Sequence, residues 1–163
     1  MELTREDKLD QLWDTLQIKN LMGKYEYYHT EQMKKKVLQL FALDTEGVSV
    51  EVKGLGTFEG ADEIDKFFSH AYHTFDGRWH EAQKAHLFTA EVIEIAQDGK
   101  NAAGLWLTMP GIDKGKSPKS NDELEVNCST GRYSVDFIKI DNEWKLWHFL
   151  ITDPYLCKQS NFL

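Results

Sequence analysis

Tyr25 and His29 stand four residues apart, so a helix carrying them presents a phenol and an imidazole one turn apart on the same side. A phenol can hydrogen-bond an oxygen that gains charge, and an imidazole titrates near neutrality, so the pair has the means to polarise a substrate and move a proton. The plainer alternative is a satisfied tyrosine hydroxyl beside a half-exposed histidine near a helix end. His86, in Lys84-Ala85-His86-Leu87-Phe88, opens an apolar strand as either a packing residue or a base. Glu51 interrupts the valines Val48, Val50 and Val52, either as the solvent-facing alternate position or as a buried base with a raised pKa. Trp106, Tyr133 and His148 fall on three separate predicted strands. Strict alternation puts Tyr133, Val135 and Phe137 on one face of theirs, and Trp144, Leu146, His148 and Leu150 on one face of the next. Aromatic rings with a few polar tips suit a pocket for an apolar ligand, and equally a core.

Other chemistries fit less well. Gly54-x-Gly56-x-x-x-Gly60 follows a strand and precedes a helix, but its last gap is one residue too long for a dinucleotide loop and no βαβ unit follows. His70, His73, His80 and His86 cluster in sequence, yet His80-Glu81-Ala82-Gln83-Lys84 lacks the second histidine of a zinc helix, so no metal site is expected. No GxSxG elbow occurs. Cys128 and Cys157 are the only cysteines, far apart in sequence and without a CxxC pair, so no disulfide framework is expected.

The elements that must position these residues read as helices first and strands later. Thr4 and Asp7 resemble a capping box. Behind it Leu9, Leu12, Trp13, Leu16, Leu21, Met22, Tyr25 and Tyr28 keep a three-four rhythm that predicts one apolar helix face. A second helix is expected over 31–42, a strand over 48–52 and a third helix over 61–72. Strands follow over 83–95, 101–109, 124–140 and 143–152, with hairpin turns at Asp98-Gly99 and Asp141-Asn142. The stretch 110–122, rich in glycine, proline and polar residues, predicts the one long loop. The order implies an α+β fold in which a strongly curved antiparallel sheet wraps around the N-terminal helices.

The chain has 163 residues, which supports one domain, with a core over 10–152 and a tail over 153–163. With 19 basic and 27 acidic residues its net charge of −8 opposes nucleic-acid binding. No apolar run approaches the roughly 20 residues that span a bilayer, and the charged start has no apolar leader core, so a soluble cytoplasmic protein is expected.

Five ordered signatures resemble the SnoaL-like branch of the NTF2-like superfamily, which holds scytalone dehydratase, bile-acid 7α-dehydratase and, more distantly, ketosteroid isomerase. They are Ile18–Tyr25, Leu38–Asp44, Gly56–Ile64 with Phe67-Phe68, Ala85–Thr89 with Val92–Ile95, and Ile138–Leu146. The resemblance spans about residues 10–150. It implies a cone-shaped α+β barrel with a deep apolar pocket, in a homodimer or homotrimer, and enzymes that work without a cofactor.

By the same resemblance Tyr25 would hydrogen-bond a substrate oxygen and His86 would serve in acid-base roles, with Glu51 near the isomerase's carboxylate. The dehydratases place an aspartate shortly after the Tyr25 position. Here His29, Thr30, Glu31 and Gln32 occupy that stretch, so the standard Asp–His dyad is absent as read. The expected activity is a lyase (dehydratase) or isomerase acting by proton transfer on a hydrophobic cyclic or aromatic hydroxylated carbonyl compound. His86 is then the general base, Tyr25 the enolate donor and His29 the acid for a leaving hydroxyl, while Trp106, Tyr133, His148 and Glu51 shape the pocket. A non-catalytic small-molecule binder or an oligomerisation module of the same fold is the alternative.

Overall fold

The computed structural model describes the backbone of residues 3–73, 87–109, 111–116 and 124–159, and the side chains of 3–72, 87–108 and 131–152. Helix α1, Arg5–Thr30, begins at the expected capping box: the Asp7 amide donates to Thr4 Oγ1 at 3.1 Å and the Thr4 amide donates back to Asp7 Oδ2 at 2.8 Å. Then come α2 (Lys34–Leu38), β1 (Ser49–Val52), β2 (Gly56–Glu59), α3 (Gly60–His73), β3 (Leu87–Ile95), β4 (Asn101–Met109), β5 (Gly111–Lys116), β6 (Leu124–Ile140) and β7 (Glu143–Gln159).

Six strands run in the order β2-β1-β7-β6-β4-β3, and β5 pairs with β6 off that path. The pairs are antiparallel except β1 with β7, which is parallel, so the sheet is mixed and its β2 and β3 edges do not meet. Its inner face and the helices share one core. Ile18, Leu21, Met22 and Tyr25 of α1, Ile64 and Phe68 of α3, and Val50, Trp106, Tyr133, Val135, Phe137, Leu146 and Phe149 of the sheet are all buried.

Four expectations from the sequence are corrected. The second helix is shorter than 31–42, because Gln32 takes a left-handed conformation (φ 54°) after α1. At its far end the Leu146 amide donates to Leu40 O and the Ala42 amide to Leu146 O, so the chain is drawn against β7. The stretch 110–122 is not one loop, since Gly111–Lys116 ladders against Leu124–Ser129 and satisfies its backbone there. Strand β7 continues through residues assigned to the tail, past a register shift where one residue of β6, Gly131, faces the pair Asp153 and Pro154. Proline has no amide to give a ladder, which makes a bulge its natural place.

The fourth concerns α1, whose apolar residues form two stripes instead of one. At 100° per residue Ile18, Leu21, Met22 and Tyr25 lie on one side, while Leu9, Leu12, Trp13 and Leu16 lie on the opposite side and remain about half or more exposed. Asp14 shares the buried side. Its carboxylate accepts from Lys139 Nζ at 2.7 and 2.8 Å and from Trp144 Nε1 at 3.0 Å, with the Lys139 ammonium 4.8 Å from the Trp144 ring centre. A buried carboxylate is tolerable only with such partners, and this one ties the first half of α1 to the β6–β7 hairpin. Asp14→Ala should therefore lower the unfolding free energy by about 3 kcal/mol in urea denaturation. A loss below about 0.5 kcal/mol would show the pair to be no more than a surface ion pair.

Candidate functional site

The end of α1, the face of α3 and the inner faces of β3, β4, β6 and β7 bring together an aromatic cluster with a few polar groups. Tyr25 is 2% exposed. Its ring stacks on His29 with centroids 5.5 Å apart and planes 7° from parallel, and it meets Phe149 of β7 at 4.8 Å. The expected i, i+4 pairing of Tyr25 and His29 is thus realised as a stack. On its other side the His29 Nδ1 lies 2.8 Å from the hydroxyl of Tyr72 on α3, with the Phe68 ring edge-on.

Across the interior Tyr133 of β6 packs 5.2 Å from Phe149 and 5.3 Å from Phe88, and Phe88 lies 6.2 Å from Trp106. Gly104 makes room for that indole, because a Cβ there would overlap the Trp106 ring and sit 3.2 Å from Phe137. Thr108, also buried, accepts from the Gly131 amide at 2.7 Å and donates to the Gly131 carbonyl at 3.2 Å, which fixes β4 against the bulged part of β6.

Glu26 is the group that reading the sequence missed. It immediately follows Tyr25, whereas the acidic partner was sought over residues 29–32. Thr30 Oγ1 donates to its Oε1 at 2.9 Å, and its Oε2 is buried. Three phenols from three elements feel its charge. Burial, then the Tyr133 and Tyr72 phenols, then the Glu26 carboxylate push the Tyr25 hydroxyl well above the usual tyrosine range. Burial first and Glu26 second do the same for Tyr72 and for Tyr133. The sequence signal was the Tyr-Glu dipeptide in the last two turns of α1.

Two of the pocket residues expected from sequence lie elsewhere. Glu51 is exposed on the outer face of β1, between the buried Val50 and Val52. His148 also faces outward, with its Nδ1 3.0 Å from Asp136 Oδ2 and its ring stacked 4.0 Å from Trp147. The cause is a bulge: Phe137 pairs with Leu146 and Asp136 with His148, so Trp147 is an extra residue that inverts the alternation and turns Phe149 inward. Trp106 and Tyr133 face inward and are buried in the core against Phe88. His86, immediately before β3, lies outside the described residues. Among the described residues no three histidines, cysteines or carboxylates converge as a metal site, and no helix is long and apolar enough to cross a membrane.

Chemically the cluster offers three hydroxyls that stay protonated, an imidazole and a carboxylate, which suits hydrogen-bond donation to a developing oxyanion together with proton movement. The raised phenols also set a pH dependence of stability. Below about pH 10 both folded and unfolded chains keep these protons, and above it the unfolded chain releases protons that the fold retains, so stability falls as pH rises. Urea denaturation between about pH 9 and pH 11 should show that decline, with less slope in Tyr133→Phe. A pH-independent stability over this window would contradict the burial of the phenols.

The model of the SnoaL-like domain matches residues 10–149. No curated protein matches the chain significantly. Among solved structures, a scytalone dehydratase-like protein of Novosphingobium aromaticivorans is similar with a TM-score of 0.70 at 15% identity, over 95% of this chain and 93% of that one. The hexachlorocyclohexane dehydrochlorinase LinA-type3 of Novosphingobium barchaimii is similar with a TM-score of 0.66 at 13% identity, over 96% and 98%. A cystatin-like-fold protein of unknown function from Nostoc punctiforme has a TM-score of 0.62 at 19% identity, over 93% of each chain. The ordered signatures, the open sheet around α1 and the match over most of the chain agree: this protein belongs to the SnoaL-like family.

Proposed function

We propose that this protein is a cofactor-independent lyase or isomerase that moves a proton beside the carbonyl of a hydrophobic, cyclic or aromatic, hydroxylated compound. The observation that carries the reading is the linked cluster of Tyr25 stacked on His29, His29 joined to the Tyr72 hydroxyl, and Tyr25 and Tyr133 both packed on Phe149. Phenols held protonated by burial remain hydrogen-bond donors at any physiological pH, which is what an enolate oxygen requires. That two similar folds are named for a dehydratase and a dehydrochlorinase supports elimination as the reaction class.

In this scheme His86, assigned by family resemblance, removes the proton alpha to the carbonyl, and Glu26 supplies negative charge to the site. Tyr25, aided by Tyr133, donates to the enolate oxygen. His29, held by Tyr72, protonates the departing hydroxyl, so that one water leaves and a carbon–carbon double bond remains. Without a leaving group, return of the proton to a different carbon gives isomerisation. Trp106, Phe88 and Phe149 contribute apolar walls that exclude water.

The test is a panel of cyclic β-hydroxy ketones and aromatic diols in heavy water, followed by mass spectrometry for deuterium at carbon and for loss of water. Turnover should fall about a hundredfold to ten-thousandfold in His86→Ala and in Glu26→Gln, with a smaller loss in Tyr25→Phe and binding largely retained. Compounds that bind yet return unchanged and unexchanged would instead make the protein a small-molecule carrier.

We also propose that the chain self-associates as a homodimer or homotrimer. Val92, Leu105 and Leu107 stand about half exposed on the outer face of β3 and β4, and Leu9, Leu12, Trp13 and Leu16 on the outer side of α1. Apolar patches of this kind mark contact surfaces. Light scattering should give a mass above the monomer's, reduced by Leu105→Glu with Leu107→Lys. A monomer at all concentrations would overturn this.

A further inference from the structure

We propose that Cys128 and Cys157 form a reversible cross-strand disulfide, because the β6–β7 ladder sets the chain's only two cysteines directly opposite each other. They sit inside a continuous stretch of register, Val126 with Gln159 through Thr130 with Tyr155. Opposite residues of an antiparallel pair have Cα atoms about 4.5 or 5.5 Å apart, and both separations fall in the roughly 4.4–6.8 Å span of a disulfide. In sequence the two cysteines lie far apart, and only the ladder joins them.

The position suggests what the bond would do. Beyond the bulge at Gly131, β6 is flanked by β5 on one side, Ile112 opposite Cys128, and by β7 on the other. β1 pairs with β7 only at 148–151, so among the described residues the far part of β7 is held by β6 alone. A covalent tie there secures an end that has a single ladder. It can open again in a reducing compartment, where protein disulfides are typically transient and responsive.

The oxidant is a low-molecular-weight disulfide such as oxidised glutathione. One protein thiolate attacks it, forming a mixed disulfide and releasing one glutathione thiolate. The second protein thiolate attacks the protein sulfur of that mixed disulfide, closing the bond and releasing the other. Two protein thiols are oxidised and one glutathione disulfide is reduced to two thiols.

The experiment treats the whole reduced protein with oxidised glutathione, quenches by alkylation and measures the intact mass. The expected product is a monomer lighter by two hydrogen atoms, with no alkylated cysteine and no glutathione adduct. A non-reducing digest should join the Cys128 and Cys157 peptides, and dithiothreitol should restore both thiols. Cys128→Ser and Cys157→Ser should each stop at a protein–glutathione adduct. If either variant fails to fold, the mass of the native sequence decides alone. Two alkylated thiols, accumulation of adducts on the native sequence, or a disulfide between two chains would each overturn the proposal.

Discussion

One surplus residue in β7 decides what the inside of this sheet is made of. Trp147 has no opposite number on β6, and from that point the two faces exchange. Before it Trp144 and Leu146 are buried, and after it Phe149 is buried and His148 is outside. Phe149 then touches Tyr25 and Tyr133 at once, from a position that strict alternation assigns to solvent. Side chains alternate with a period of two, so no smaller change than a bulge could achieve this, and none larger is needed. The indole of Trp147 donates to Glu46 O at 3.0 Å, which secures the bulged residue against the segment before β1.

Two carboxylates on α1 stand in different surroundings. Asp14, three turns before Glu26, receives an ammonium and an indole N–H, and its charge is answered where it stands. Glu26 receives a hydroxyl from Thr30, and its charge acts on phenols that come from α1, α3 and β6. The first arrangement spends electrostatics on holding a helix in place. The second sets a carboxylate beside an aromatic cluster, whose buried phenols it helps to keep protonated. Both stand on α1, which the Asp14 contacts tie to the β6–β7 hairpin.

Much of the fold could be read from local pattern because local causes determined it. The Thr4–Asp7 cap, the extent of α3 and the turn at Asp141-Asn142, where both residues adopt positive φ, are decided within a few residues. What escaped were the features set by distant partners. Gln32 ends α1, and the chain after Leu38 joins β7 over a hundred positions away in sequence. The three-four count along α1 passed over its one break, the step of five residues from Leu16 to Leu21, which turns the helix by about 140° and begins a second stripe. In the core, the shared side of Tyr25 and His29 and the shared face of Tyr133, Val135 and Phe137 were legible from type and spacing. Glu26 was hidden because a glutamate beside a tyrosine reads as an ordinary helix surface. His148 was misplaced by a bulge that no alternation rule anticipates.

The parallel pairing of β1 with β7 has a consequence for the order in which the molecule comes into being. Ser49 to Val52 pair with His148 to Ile151, strands lying about a hundred residues apart, so a ribosome adding about 5–20 residues per second makes β1 wait on the order of ten seconds for that neighbour. Over that interval β1 has only β2, in a short hairpin that is marginal by itself in water. The valines of β1 are thus exposed in the nascent chain until the closing hairpin is made. The completion of this fold is a late event, governed by its C-terminal third.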